Sequence, residues 1–187
     1  VHEVFVGMSG AHIRGTNSHG MVAIKEREVT TADIDQVVGT ARAIQMPNDQ
    51  QILHILGQDY KIDGQDGIKE PLSMSGKRLE VNVHIITAAV SAIENTGKCV
   101  RRCDLMPEDV MLSALAAAEA CLTQDEKDLG VCLLDIGSGT MDLSVFVHGS
   151  IRHTVVIPIA GNHITQDIAR AYQIPSREAE AIKQSHG

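Results

Sequence analysis

Between Val131 and Val147 the chain leaves itself little structural freedom. An apolar strand, Val131-Cys132-Leu133-Leu134-Asp135, runs into Ile136-Gly137-Ser138-Gly139-Thr140-Met141-Asp142 and then into a second apolar strand, Leu143–Val147. Glycines at alternate positions permit positive φ and close approach of the backbone. The turn is therefore expected to aim successive N–H groups at an anion, with the Ser138 and Thr140 hydroxyls beside them. Asp135, at the strand end, is placed to hold a magnesium-bound water. The bland reading is a glycine-rich hairpin with ordinary acidic flanks. A buried strand ending in Asp, a GxGT turn and a second Asp opening the next strand favour the anion cradle over it.

Beyond this turn, His148-Gly149-Ser150 links Leu143–Val147 to Ile151–Ile159 as a hairpin. Asn162 is expected to cap a helix carrying Ile164, Ile168, Ala171 and Tyr172, and Pro175-Ser176 to open another through Ile182. Upstream, Pro107 reads as the start of a helix reaching Leu122, with Val110, Ala114, Ala117, Ala118 and Cys121 on one side and Met111 and Leu115 beside them. Thr123–Gly130 reads as a polar turn. Glu119 lies in that expected helix, and a solvated residue is preferred to a group orienting an attacking water.

The first part of the chain reads differently. Glu3–Met8, a short stretch near His12–Arg14, and Met21–Ile24 are expected as strands with an antiparallel start. Thr30 or Thr31 caps a helix bearing Ile34, Val37, Val38, Ala41 and Ile44, which Pro47-Asn48-Asp49 stops. Gln51–Leu56 and Tyr60–Ile62 follow as extended pieces, then an exposed loop from Asp63 to Lys77. Strict alternation over Leu79–Ile85 turns Leu79, Val81, Val83 and Ile85 toward a core and Glu80, Asn82 and His84 toward solvent. Past Ala88 the composition shifts to Ala at helical spacing, so a boundary is expected there: residues 1–88 and 89–187.

Charge and aromatic content exclude nucleic acid as a partner. The net charge is −8, with 8 basic and 11 acidic residues in Val1–Ala88 and 8 and 13 in Ala89–Gly187. No basic stripe exists to release counterions, and Lys98, Arg101 and Arg102 read as a solvated helix end. Phe5, Phe146, Tyr60 and Tyr172 are the only aromatics, too few for base stacking. Cys99, Cys103, Cys121 and Cys132 lack zinc spacing, and three of them read as small core residues. His153 and His163 have no ligand-spaced partner and read as structural or exposed. With no long apolar run and no signal segment the chain reads as soluble and cytosolic, and its strand-like opening reads as an excised piece.

The turn from Asp135 to Asp142 resembles the second phosphate loop of the actin-like ATPases, shared with sugar kinases and heat-shock chaperones. Leu122–Val131, Arg152–Asn162, Ile164–Ala169 and Ala179–Lys183 are similar to the FtsA family of bacterial cell-division proteins. So are Gly10–Ile13, Asn17 to Gly20, Leu53-His54, Tyr60–Gln65 and Leu79–Val81, so the resemblance spans essentially the whole chain.

That resemblance implies an α/β fold: a portion of an actin-like ATPase (ribonuclease H-like) body, residues 89–187, with a small inserted α+β interaction domain of the 1C or SHS2 type, residues 1–88. It implies ATP and magnesium as cofactors, held here by Asp135, Gly137, Ser138, Gly139, Thr140 and Asp142, with Asp135 facing the metal. Ser138 stands where many members have Gly, which requires that Ser138 avoid positive φ. The first phosphate loop and the adenosine segment have no counterpart here, so the chain alone is expected to be inactive.

The implied role is to polymerise, to tether the FtsZ ring to the cytoplasmic face of the membrane at the septum through a C-terminal segment absent here, and to recruit later division proteins. ATPase activity is at most slow. The alternatives are a pilus-assembly relative, an adaptor in which nucleotide sets conformation only, and, at greater distance, a sugar or acetate kinase.

Overall fold

A computed structural model describes residues 2–187. Its elements in order are β1 (Glu3–Met8), β2 (Arg14–Ala23), α1 (Thr31–Arg42), β3 (Gln50–Ile62), β4 (Gln65–Ile68), β5 (Arg78–Ala89), α2 (Val90–Arg101) and β6 (Met106–Leu112). They continue with α3 (Ser113–Cys121), α4 (Gln124–Leu129), β7 (Val131–Ile136), β8 (Met141–Val147), β9 (Ser150–Ile157), α5 (Gly161–Tyr172) and α6 (Ser176–His186). The strands make three sheets: a pair β1-β6, a four-stranded sheet ordered β2-β5-β3-β4, and a three-stranded sheet ordered β7-β8-β9.

β1 does not begin an antiparallel sheet. It pairs in parallel with β6, Phe5 opposite Asp109 and Met8 opposite Leu112. Everything from β2 to α2 is thus inserted between two neighbouring parallel strands. Glu3–Met8, grouped above with the first 88 residues, is hydrogen-bonded to the later part of the chain.

The inserted sheet is antiparallel throughout. Leu79, Val81, Val83 and Ile85 of β5 are at most 1% exposed, and Val37 and Ala41 of α1 are fully buried in the same cluster with Val22, Ile24 and Val29. Thr30 caps α1: its hydroxyl accepts from the Asp33 N–H, and the Asp33 carboxylate accepts from the Thr30 hydroxyl and then the Thr30 N–H, which hold that carboxyl below its usual range. Gly20 lets α1 lie close, since a Cβ there would strike the Val37 carbonyl and stand 2.7 Å from the Ala41 nitrogen. Asp63 and Gly64, both at positive φ, form the two-residue turn joining β3 to β4. The expected exposed loop therefore contains a short strand, and Ile68 and Pro71 within it are buried.

Several further expectations change. Pro107–Leu122 is not one helix: Met106–Leu112 is β6, recruited by a partner strand about a hundred residues away, and only Ser113–Cys121 is helical. Pro107 is tolerated because the pair leaves an edge that needs no N–H from it. Thr123–Gly130 holds α4, opened by a Thr123/Glu126 capping box. α5 begins at Gly161 after Ala160, with His163 Nδ1 accepting the Ala160 N–H at 3.2 Å, so Asn162 lies inside the helix and is not its cap. All four cysteines are exposed. β7 is not doubly buried either, since Leu134 and Ile136 stay 49% and 60% exposed.

His84 is the largest departure from alternation. It is 1% exposed although it faces away from α1, because β9 crosses that side of β5. The polar face becomes an internal seam. Asn17 Oδ1 accepts from His84 Nδ1 at 2.7 Å and from Gln58 Nε2 at 3.0 Å, and Thr154 Oγ1 lies 2.8 Å from His84 Nε2. An amide oxygen only accepts, so the proton sits on Nδ1 and Nε2 accepts from the Thr154 hydroxyl. Gln58 also donates to the Ile151 carbonyl at 2.7 Å, and Arg152 pairs with Asp59 at 2.6 Å. Burial, with His153 nearby, lowers the His84 pKa to about 4. Among the described residues no helix is long and apolar enough to cross a membrane.

Candidate functional site

The expected phosphate turn lies between β7 and β8, which pair from Val131–Phe146 to Ile136–Met141. Gly137 to Thr140 form a four-residue loop closed by the Gly137 N–H donating to the Thr140 carbonyl at 2.9 Å. The outward carbonyls are held from the other side: Gly137 O accepts from the Gly161 N–H at 3.1 Å and Ser138 O from the Asn162 N–H at 2.7 Å. The first turn of α5 thus fixes the loop. Neither Gly137 nor Gly139 uses the positive φ that glycine permits, and Ser138 also avoids it, as its side chain requires.

What the glycines supply is access. A Cβ on Gly139 would meet nothing within 4 Å, so packing does not demand a glycine there. The Ser138 and Gly139 residues are exposed, and their N–H groups have no acceptor among the described residues. Consecutive free amides on an anchored loop suit an anion whose oxygens approach the backbone closely.

Asp135 and Asp142 face each other directly across β7 and β8. Their surroundings differ. Asp142 is 5% exposed, and both carboxylate oxygens lie within reach of the Ser9 hydroxyl, at 2.8 and 2.7 Å. Its pKa is raised, first by burial and further by the Asp135 charge, with the Ser9 hydrogen bond opposing. Asp135 is half-buried and makes no side-chain hydrogen bond among the described residues, so its oxygens are free. No group of three or more His, Cys, Asp or Glu among those residues could cage a metal. Two carboxylates beside an anion loop fit magnesium, which retains waters and takes phosphate oxygens, better than a metal needing a full protein cage.

All six expected residues are therefore brought to one end of the β7–β8 hairpin. Glu119 is exposed and pairs at 2.7 Å with Lys127, which is itself buried. Sequence reasoning missed Ser9, which is more than 130 positions from its partners, and the α5 amides that brace the loop. It also missed the Thr165, Glu180 and Lys183 cluster behind that helix end. There Lys183 Nζ donates to Gly161 O at 3.2 Å, and hydrogen bonds from Lys183 and Thr165 lower the Glu180 pKa to about 2.

Comparison with known proteins identifies two stretches. A family model described as the SHS2 domain inserted in FTSA matches residues 10–87, and one for cell division protein FtsA matches residues 132–187. The chain is 56% identical over 183 residues to cell division protein FtsA of Pseudomonas aeruginosa, covering 98% of this chain and 44% of that protein. It is 51% identical to the Neisseria meningitidis protein of that name and 45% to the Escherichia coli K12 one, over all of this chain and 45% and 44% of theirs. The chain thus spans less than half the length of these curated relatives. Among solved structures, the PilM-PilN type IV pilus biogenesis complex matches with a TM-score of 0.67 and 20% identity, over 99% of this chain and 51% of that one. That likeness shows the fold alone, an α/β fold as expected from the sequence.

Proposed function

Because the chain belongs to the FtsA family of cell-division proteins, we propose that it is the part of an actin-like ATP-binding division protein that carries one half of the nucleotide site and a docking module. The observation that carries the first claim is the pair of free amides at Ser138 and Gly139 beside the unpaired Asp135 carboxylate. In this reading Gly137, Ser138, Gly139 and Thr140 hold phosphate oxygens and Asp135 orients a magnesium-bound water. Magnesium supplies charge neutralisation at the phosphates; the chain's own residues bind, orient and keep the loop rigid. Asp142 supports the site from beneath.

The division between parts falls near Ala88, where β5 gives way to α2. Residues from about Gly10 to that point form the module that meets division proteins and neighbouring copies; β1, paired with β6, and residues 89–187 belong to the ATPase body. In the whole protein this body polymerises, holds FtsZ to the cytoplasmic side of the membrane at the septum through a segment outside this chain, and recruits later division proteins, with hydrolysis slow or absent. The pilus-assembly alternative loses its ground, since 45–56% identity runs to division proteins and 20% to the pilus structure.

The test is calorimetry of ATP binding to the intact protein with and without magnesium. Asp135→Ala is expected to weaken binding in magnesium by roughly tenfold or more, one lost contact to a charged group, while circular dichroism stays native. Unchanged affinity would reduce the turn to a hairpin.

A further inference from the structure

Ser9 is the residue just beyond β1, at the carboxyl end of the parallel pair β1-β6, followed by Gly10 at positive φ, whose carbonyl accepts the Ile13 N–H at 3.0 Å. Ligands of parallel α/β sheets gather at that end of the strands. Here the strand end meets the nucleotide hairpin. Ser9 Oγ lies 2.8 and 2.7 Å from the two Asp142 oxygens and 3.3 Å from Thr140 Oγ1.

A hydroxyl has one proton and two lone pairs. With the proton shared by the carboxylate, the remaining role of Ser9 Oγ is to accept from the Thr140 hydroxyl, giving a chain Thr140 to Ser9 to Asp142. The chain matters because Asp142 is a buried carboxylate opposite another carboxylate, Asp135, and Ser9 is its sole side-chain donor among the described residues. Its cross-strand neighbour on β9 is Val156, which offers no polar group. Without Ser9 the Asp142 charge would be buried beside a like charge with nothing donating to it, a state that proteins relieve by moving the side chain or its backbone.

We propose that Ser9 is a positioning residue for the nucleotide loop: it pins Asp142 and Thr140 so that Asp135 is the carboxylate left to face the hydrated metal. The proposal rests on the reading of Gly137–Thr140 as a phosphate loop and names the residue, on the far side of the insertion, that sets its geometry. Ser9 does not touch nucleotide in this scheme. It also joins the start of the inserted module, four residues from Ile13, to the loop, so the two parts meet at one hydroxyl.

Calorimetry on the intact protein separates the possibilities, using ATP with magnesium and ATP with chelator for wild type, Ser9→Ala, Ser9→Cys, Ser9→Thr, Asp142→Ala and the Ser9→Ala/Asp142→Ala double variant. Ser9→Ala and the near-isosteric Ser9→Cys are expected to weaken magnesium-ATP binding by roughly tenfold, the scale of one hydrogen bond to a charged group, with a smaller change in chelator. Ser9→Thr, which keeps the hydroxyl, restores affinity to within about twofold, and the double variant binds no more weakly than Asp142→Ala, as coupled residues require. Ser9→Ala and Ser9→Cys binding like wild type overturn the proposal, as do Ser9→Thr losing as much as Ser9→Ala or losses that add in the double variant. If Asp135→Ala also leaves ATP binding intact, the phosphate-loop reading has failed. If Asp135→Ala weakens it while the Ser9 variants do not, the positioning role alone has failed.

Discussion

The four-stranded sheet and the three-stranded sheet handle their apolar faces in opposite ways. On β5, Leu79, Val81, Val83 and Ile85 are sealed at 0–1% exposure under Val37 and Ala41 of α1. On β7, Leu134 and Ile136 remain 49% and 60% exposed, and Val155 of β9 38%. The first sheet carries its own cover thirty to fifty residues away in the chain; the second closes one face, with Phe146 and Ile151 packed against Ala118 of α3 and the polar seam of His84 and Thr154 beside them. Stability of the inserted module is thus a local property, while the β7–β8 hairpin owes its position to other elements: α3, the α5 amides, Ser9 and the seam around His84. A rigid, self-contained module beside a braced hairpin suits a protein in which one part docks and the other responds to a ligand.

The sharpest way to break this contrast is Leu79→Ala. A fully buried leucine in a closed cluster loses transfer energy and leaves a cavity, so the cost is expected at about 2–5 kcal/mol, read by urea denaturation of the chain. A cost below about 1 kcal/mol would mean that the face is not sealed.

A smaller effect lies in the seam and is pH-dependent. The folded-state pKa of His84, about 4 against an ordinary 6.5, is depressed, so folding favours the neutral ring. The stability this ring contributes is whole above about pH 6.5 and is lost as pH falls toward 4. The charged neighbour that bears on it is His153 of β9, which pushes the His84 pKa in the same direction as burial does. The shift corresponds to roughly 3 kcal/mol at full titration. Melts from pH 7.5 to 4.5 should show a steeper decline for wild type than for His84→Gln; equal slopes would leave the seam without a titrating member.

The same contrast explains which features were legible in the sequence. The cap at Thr30, one of the two threonines read for it, the inward half of the alternation over Leu79–Ile85 and the His148-Gly149-Ser150 hairpin are local devices, complete within a few residues, and each stands as read, the last turning with φ of 54° and 74° at His148 and Gly149. β6 was read as helix because Val110, Ala114 and Ala118 keep helical spacing; its strand is imposed by β1, a partner that no window includes. His84 was read as exposed because alternation reports two faces but not what covers the second. The six residues proposed for the phosphate turn stand out by their spacing, whereas Ser9, an ordinary serine before a glycine, shows its contact with Asp142 only where β1 ends against it.

Two glycines divide the effects of the sheets further. Gly20 sits beneath α1 and Gly15 at the seam, where a Cβ would strike the Thr154 hydroxyl and lie 2.8 Å from His84 Nε2 and 2.9 Å from the Thr154 carbonyl. Gly15→Ala is expected to cost about 1–3 kcal/mol by forcing β9 away, and to raise hydrogen exchange at Thr154 and Ile151 while the amides of α1 stay protected. Gly20→Ala should do the reverse, exposing α1 first. If both variants loosen α1 equally, the two sheets unfold as a single unit and the module is not self-contained.

The smallest effect belongs to the open face of β7. Leu134→Ser removes a side chain already half in water, from a strand edge with β8 on one side only, so little transfer energy and no cavity are at stake. The change in stability is expected to stay within about 0.5 kcal/mol, against the several expected for Leu79→Ala. The measurement is urea denaturation at two protein concentrations about a hundredfold apart. A midpoint shared by wild type and variant at both concentrations keeps the face open. A wild-type midpoint that climbs with concentration, and a variant midpoint that does not, would show Leu134 covered by a second copy of the chain. The contrast between the sheets would then become one between a face covered from within and a face covered from without.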